Sequence, residues 1–340
     1  MTSNKLAFSE IMREWLYNPN TGYYTQNHVG KAGDFYTSVS VSKFFGGAIS
    51  RYILRMLDEK RLTLPLHIVE IGSNNGDLIA DIAEFLKAFS DVVFIQTSFC
   101  VIEPLVCLHT QQKATFQARI TARFAKQLHI YNNLQMLKDT QPNNVFFISN
   151  ELFDSMPCDI FHNNNMLYFH NNNFTWDKPS SEISEFMEKY DIKSAEIPLI
   201  WESFIQNLCN LPCKWIFLTF DYGDFLAREM NIRMYMQHKV YNLYEELQND
   251  RLVQFIGKSD ITYDIDFSLL KKIFEDNNAK VLCNVTQSKF LIESCEILDI
   301  FESFSTHFST IQLSKQKASL QGLIAPNAMG ERFKALVCGV

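Results

Sequence analysis

The spacing of apolar and polar residues switches repeatedly between a short run and a helical period along this chain. His67–Ile71 is an apolar run of strand length. Between Asp77 and Phe89, residues Leu78, Ile79, Ile82, Phe85, Leu86 and Phe89 fall on one helical face. Ser98–Ile102 reads as a second strand, 105–124 as a helix and Val145–Ser149 as a buried strand. The pattern resumes with a strand at Trp215–Phe220, a helix over 267–277 with Asp266 as its N-cap, and strands at Lys280–Thr286 and Phe333–Cys338. Such alternation predicts an α/β fold with a mostly parallel, doubly wound sheet. Residues 1–60 read as an N-terminal cap, 61–157 and 213–340 as two halves of the sheet, and 158–212 as an insertion. Inside the insertion, Asn163–Asn165 and Asn171–Asn173 flank Met166–Phe169, which predicts two turns around a short strand.

Composition narrows the function classes. With 47% hydrophobic and 20% charged residues, the chain is neither disordered, collagenous nor a coiled coil. The 31 Lys and Arg against 38 Asp and Glu leave a net charge of −7, which speaks against nucleic-acid binding. No apolar stretch approaches the roughly 18 residues a membrane span needs. Glu10, Arg13 and Glu14 interrupt the apolar start, so no signal peptide is expected. The eight cysteines form no C-x-x-C pair, which predicts reduced thiols in a cytoplasmic protein and no metal site.

Glycines are scarce, 12 in 340, so those in Val69-Glu70-Ile71-Gly72-Ser73-Asn74-Asn75-Gly76-Asp77 draw notice. The segment joins a strand to an amphipathic helix, where backbone N–H groups and a helix N-terminus can face a ligand. Glu103 closes the second strand, and a carboxylate there can accept both hydroxyls of a ribose. A plain β–α turn with an ordinary surface Glu103 is the competing reading. The spacing is not G-x-G-x-x-G, which disfavours a nicotinamide dinucleotide. Instead Glu70, Gly72 and Gly76, as E-x-G-x-x-x-G, resemble the first motif of class I S-adenosylmethionine methyltransferases.

Other motifs make the resemblance specific. They are N-P-N-T-G-Y-Y at 18–24, G-K-A-G-D-F-Y-T-S at 30–38, N-E-L-F-D-S-M-P at 150–157, D-Y-G at 221–223, G-K-S-D-I-T at 257–262, T-Q-S-K-F-L at 286–291 and M-G-E-R-F-K at 329–334. In this order, from about residue 10 to 340, the chain resembles the MidA family. The resemblance implies a Rossmann-like class I methyltransferase fold and S-adenosyl-L-methionine as methyl donor. Its mitochondrial members imply an arginine of a partner protein as acceptor, and a subunit of respiratory NADH dehydrogenase as that partner. Gly33, Thr37, Glu70, Gly72, Gly76, Glu103 and Asn150 are the expected cofactor residues. Two departures stand out: Asn74 where the family usually has glycine, and Val39 where it tends to have proline. Asn tolerates positive φ, so a merely left-handed position leaves cofactor binding intact, whereas a backbone that must touch the ligand would be blocked by Asn74.

An arginine acceptor has a pKa of about 13, so neutralising it at pH 7 costs about 8 kcal/mol. Carboxylates that orient the guanidinium and take its proton as the bond forms are the better route. Asp34, Glu151 and Asp154 are the expected catalytic residues, the last two because they follow a sheet strand at its ligand-binding edge. His238 reads as a surface histidine. A non-catalytic assembly factor on the same fold, and a small-molecule methyltransferase, are the alternatives.

Overall fold

The computed structural model of the protein describes residues 5–26, 38–192, 195–226 and 230–340. The chain divides into two compact units. One takes Tyr36–Leu152, Asn207–Tyr222 and Asn278–Val340; the other takes Met1–Phe35, Phe153–Gln206 and Gly223–Asn277.

The first unit is built on strands β1 (Leu66–Ile71), β2 (Thr97–Ile102), β3 (Leu128–Tyr131), β4 (Asn144–Asn150), β5 (Lys214–Asp224), β6 (Lys280–Thr286) and β7 (Phe333–Gly339). Their order across the sheet is 3-2-1-4-5-7-6. Strands β1 to β5 pair in parallel, and β7 is antiparallel to both of its neighbours. Ile68, Val69, Phe99, Val101, Phe146, Phe147, Phe217 and Leu218 are all fully buried. Covered on both faces, these strands are near-continuous apolar runs, which is why they were legible. The strand order reverses between β1 and β4, a switch point where open α/β sheets bind ligands at the strands' carboxyl ends.

Helices α1 (Phe44–Asp58), α2 (Asp77–Phe89) and α3 (Val106–Phe116) belong to the same unit. A Cβ on Gly46 of α1 would stand 2.5 Å from Asp81 Cβ, so only glycine lets α1 approach α2 this closely. Ser50 Oγ then donates to Ile82 O at 3.1 Å. Phe44 meets Phe85, Phe301 and Phe304 edge-on or tilted, so the abundant phenylalanines here are core.

Several expectations change. Residues 1–60 are not one cap, because α1 packs in the sheet unit. The predicted helix over 105–124 is α3 followed by a π-helical turn at Gln117–Thr121 and a short helix at Ala122–Phe124. Strand β3 was not expected; only Leu128 and Ile130 of its four residues pack against the core, and neither is fully buried. Residues 223–277, read as part of the second sheet half, lie in the other unit. There the helix Phe267–Asp276 does begin at Asp266, whose carboxylate accepts the Ser268 and Leu269 amides.

The second unit carries helix Phe8–Tyr17 and two antiparallel sheets. Asp159–His162, Asn165–His170 and Asn173–Asp177 form successive hairpins. Their two-residue turns are Asn163-Asn164 and Asn171-Asn172, with φ of 49, 60, 49 and 63°. Positive φ at both positions gives the twist that tight hairpins need, and Asn supplies it cheaply. Arg233–Met236, Lys239–Asn242 and Asp260–Thr262 form the other sheet.

Candidate active site

The turn after β1 is left-handed at three alternate residues: Gly72 (φ 73°), Asn74 (45°) and Gly76 (81°). The Gly72 amide donates to Ile102 O at 3.1 Å and the Gly76 amide to Ser73 O at 2.8 Å, so both glycine N–H groups are spent on shaping the turn. Asn74 thus occupies the left-handed conformation its side chain tolerates. Gly76 is the N-cap of α2, and a Cβ there would press within 3.2 Å of the Gln112 backbone. Glu70 is committed to the turn itself. Its Oε2 accepts Ser73 Oγ at 2.8 Å and the Ile79 amide at 3.0 Å. Burial pushes the Glu70 carboxyl up to about 8, against the downward pull of those two donors.

Glu103 lies just beyond β2, 5% exposed. Its Oε1 accepts the Leu105 amide at 3.0 Å and its Oε2 accepts Gln112 Nε2 at 3.3 Å. Burial raises the Glu103 pKa; the Leu105 amide, Gln112 and His109 oppose the rise. Each ionised carboxylate oxygen has two acceptor sites, so both keep one for a ligand donor. Gln112 Nε2 also donates to Asn74 O at 3.0 Å. At the end of β4, Asn150 Nδ2 donates to Glu151 Oε1 at 2.9 Å. Glu151 has φ 55°, an uncommon conformation for this residue type and one enriched at functional sites. Its amide donates to Phe220 O at 2.8 Å.

In the other unit, motifs far apart in sequence meet. Gly257, at φ 72°, stands where a Cβ would be 2.7 Å from Thr21 O. Trp15 Nε1 donates to Ser259 O at 2.8 Å, and Tyr24 Oη to Asp260 Oδ1 at 2.8 Å. The Tyr263 amide donates to Asp154 O at 3.1 Å, and Asp154 and Asp260 are both buried. Burial, then the charges of Asp260, Tyr17 and Asp154, hold the Tyr24 hydroxyl well above its ordinary pKa. His238 is exposed at a hairpin tip with φ 62°.

Gly33, Asp34 and Thr37 lie outside the described residues. The sheet unit holds Glu70, Gly72, Gly76, Glu103, Asn150 and Glu151, while Asp154 lies in the other unit, three residues along the chain from Glu151. Gln112, Tyr24 and Asp260 were not singled out from sequence. The G-K-S-D-I-T motif carried a signal for Asp260; Gln112 carried none.

A parallel sheet in the order 3-2-1-4-5-7-6 with a reversed seventh strand, a glycine turn after β1 and an acid after β2 define a class I S-adenosylmethionine-dependent methyltransferase. The chain belongs to the family described as "Putative S-adenosyl-L-methionine-dependent methyltransferase", whose model matches residues 48–285. It is similar to two curated mitochondrial proteins named protein arginine methyltransferase NDUFAF7 or its homolog. The Drosophila melanogaster protein is 22% identical, with 99% of this chain and 82% of the relative covered. The Danio rerio protein is 25% identical, with 98% and 83% covered. A crystal structure from Burkholderia thailandensis bound to S-adenosyl-homocysteine shares the fold, with a TM-score of 0.78 at 19% identity, covering 99% of this chain and 88% of that one.

The buried polar atoms of the sheet unit fit such a cofactor. Among the described residues, Asn150 Oδ1 is a buried acceptor with no hydrogen-bond partner. S-adenosylmethionine brings an α-ammonium, two ribose hydroxyls and an adenine amine, all donors. No helix among the described residues is long and apolar enough to cross a membrane.

Proposed function

We propose that this methyltransferase modifies an arginine side chain of a partner protein. The observation that carries the reading is the placement of Glu151 and Asp154 within four residues of chain at the end of β4, the edge where the sheet binds ligands. The names of the similar proteins support it. When bound, S-adenosylmethionine supplies an electrophilic methyl group on a positively charged sulfur with a neutral thioether as leaving group. In this reading Glu103 accepts the ribose hydroxyls, the turn from Gly72 to Gly76 receives the carboxylate, and Asn150 Oδ1 takes the ammonium. Glu70 acts at one remove, holding the turn. Glu151 would orient the guanidinium toward the methyl donor, and Asp154 is proposed as a further acceptor-binding carboxylate. As the N–C bond forms, a carboxylate takes the nitrogen's proton and passes it to solvent, and the methylated guanidinium keeps its single positive charge. Asp34, Gly33 and Thr37 complete the proposed set.

The acceptor's identity as a respiratory NADH dehydrogenase subunit belongs to the same proposal. The compartment belongs to it as well: cytoplasm from the cysteine pattern, or the mitochondrion that the names of the similar proteins carry. The test is methyl transfer to arginine peptides, followed by mass spectrometry, for native protein and Glu151→Gln. Native protein is expected to methylate arginine and not lysine peptides, and Glu151→Gln to lose roughly a hundredfold or more in rate at unchanged S-adenosylhomocysteine affinity. Native rates in Glu151→Gln contradict the carboxylate role.

A further inference from the structure

We infer that Gln112 is a positioning residue of the cofactor site, a clasp that locks the glycine turn to the ribose-binding acid. This rests on the reading of Glu103 given above. Gln112 has one amide nitrogen with two hydrogens, and both are spent: one on Asn74 O at 3.0 Å, the other on Glu103 Oε2 at 3.3 Å. The two acceptors also settle which way the amide points, since the oxygen in that place would face a backbone carbonyl. One fully buried side chain on α3 therefore joins the two parts of the site, which are 29 residues apart in sequence (103 − 74).

Packing alone does not account for a glutamine here. The residue is fully buried, and its Oε1 has no partner among the described residues. An unsatisfied buried acceptor costs free energy that leucine or methionine at the same place would avoid. The close fit of Gly76 against the Gln112 backbone holds the amide where it reaches both acceptors. The return lies in what the two hydrogens do. One holds the carbonyl of the only non-glycine left-handed residue in the turn. The other donates to Glu103 and favours its ionised form, the form that accepts two hydroxyls at once. Without Gln112, Glu103 is a buried carboxyl left with the Leu105 amide and the nearby His109 to favour its negative charge.

The experiment is calorimetric titration of native protein and Gln112→Met with S-adenosylhomocysteine and with its 2′-deoxyribose analogue, from pH 5 to 8. Native protein is expected to bind the analogue roughly tenfold or more weakly. Gln112→Met is expected to bind S-adenosylhomocysteine at least about tenfold more weakly, to distinguish the two ligands by less than about threefold, and to need a higher pH for half-maximal affinity. A merely structural glutamine moves the melting temperature and leaves ligand discrimination and pH midpoint alone; that result overturns the clasp. No discrimination by native protein overturns the Glu103 reading and the clasp with it. If Gln112→Met does not fold, Gln112→Asn draws the amide back by one methylene and is judged on the same comparison.

Discussion

Asp221 Oδ2 accepts the backbone N–H of Leu152 at 3.1 Å, so the end of β5 grips the segment leaving β4. The preceding residue, Phe220, accepts the Glu151 amide through its carbonyl at 2.8 Å. Two successive backbone groups are thereby fixed, and Glu151 is held in its left-handed conformation. Asp221 is fully buried, and its other oxygen accepts the Tyr222 amide at 2.9 Å. Its position at the ligand edge is thus a means of aiming Glu151. Asp221→Ala strips Leu152 of a buried acceptor and is expected to cost about 1–3 kcal/mol in urea unfolding. The methyl-transfer rate should fall further than S-adenosylhomocysteine affinity does. Equal losses in both would show that Asp221 supports the sheet as a whole.

The turn should be more sensitive at Gly76 than at Asn74. Gly76→Ala combines φ 81° with a neighbouring backbone at 3.2 Å, which no rotamer change relieves. A loss of about 1–2 kcal/mol from the left-handed backbone, with further loss from the close approach, is expected. Cofactor affinity should drop in parallel. Asn74→Gly leaves the backbone where it is, so cofactor affinity is expected to stay within about threefold of native. Chemical denaturation and calorimetry on both variants check this; a large gain in affinity for Asn74→Gly would mean that the asparagine impairs the turn.

Glu70 imposes a pH dependence. Its carboxyl is raised in the folded state to about 8, above its unfolded value. The folded state therefore binds the proton more tightly, and this contribution to stability is complete below the unfolded pKa of about 4.3. It is lost as pH rises toward 8. Glu70→Gln removes the titration, so unfolding free energy measured from pH 5 to 9 should fall less steeply than in native protein. Parallel curves would place the Glu70 proton elsewhere.

Arg119, on the π-helical turn, donates to Glu84 Oε2 at 2.7 Å and pairs with the buried Asp81. Its own pKa is raised by these two carboxylates, yet burial still pushes Asp81 up to about 6. Burial dominates at Asp81 because that side chain is far less exposed than the guanidinium. Arg119→Met leaves a buried charge without its partner, and a loss of about 3 kcal/mol is expected by denaturant titration. Asp81→Asn in the same background should restore part of it.

What could be read in advance follows from where the information sits. The β1–α2 unit was legible because buried parallel strands are near-continuous apolar runs and α2 carries an apolar stripe that starts just after Gly76. The asparagine pairs at 163–164 and 171–172 announced their own turns. Asp260 was not recognised as a partner of Tyr24, because the bond between them spans 236 residues and its strand is three residues long. Gln112 was invisible for another reason. A single polar residue on α3 gains meaning only once Gly76 and Glu103 are in place around it. Strand β3 escaped because its apolar alternation is only two residues deep, Leu128 and Ile130, too short to stand out from a loop.

The most direct test is S-adenosylhomocysteine binding to native protein and Glu103→Gln, measured by calorimetry at pH 7.5 alongside the melting temperatures of the ligand-free forms. Glu103→Gln keeps the shape and removes the charge beside the Gly72–Gly76 turn. Saturable binding by native protein, and a loss of roughly ten- to a hundredfold in the variant at a similar melting temperature, is the expected result. Indistinguishable affinities would contradict the assignment of this turn and this acid to the methyl donor.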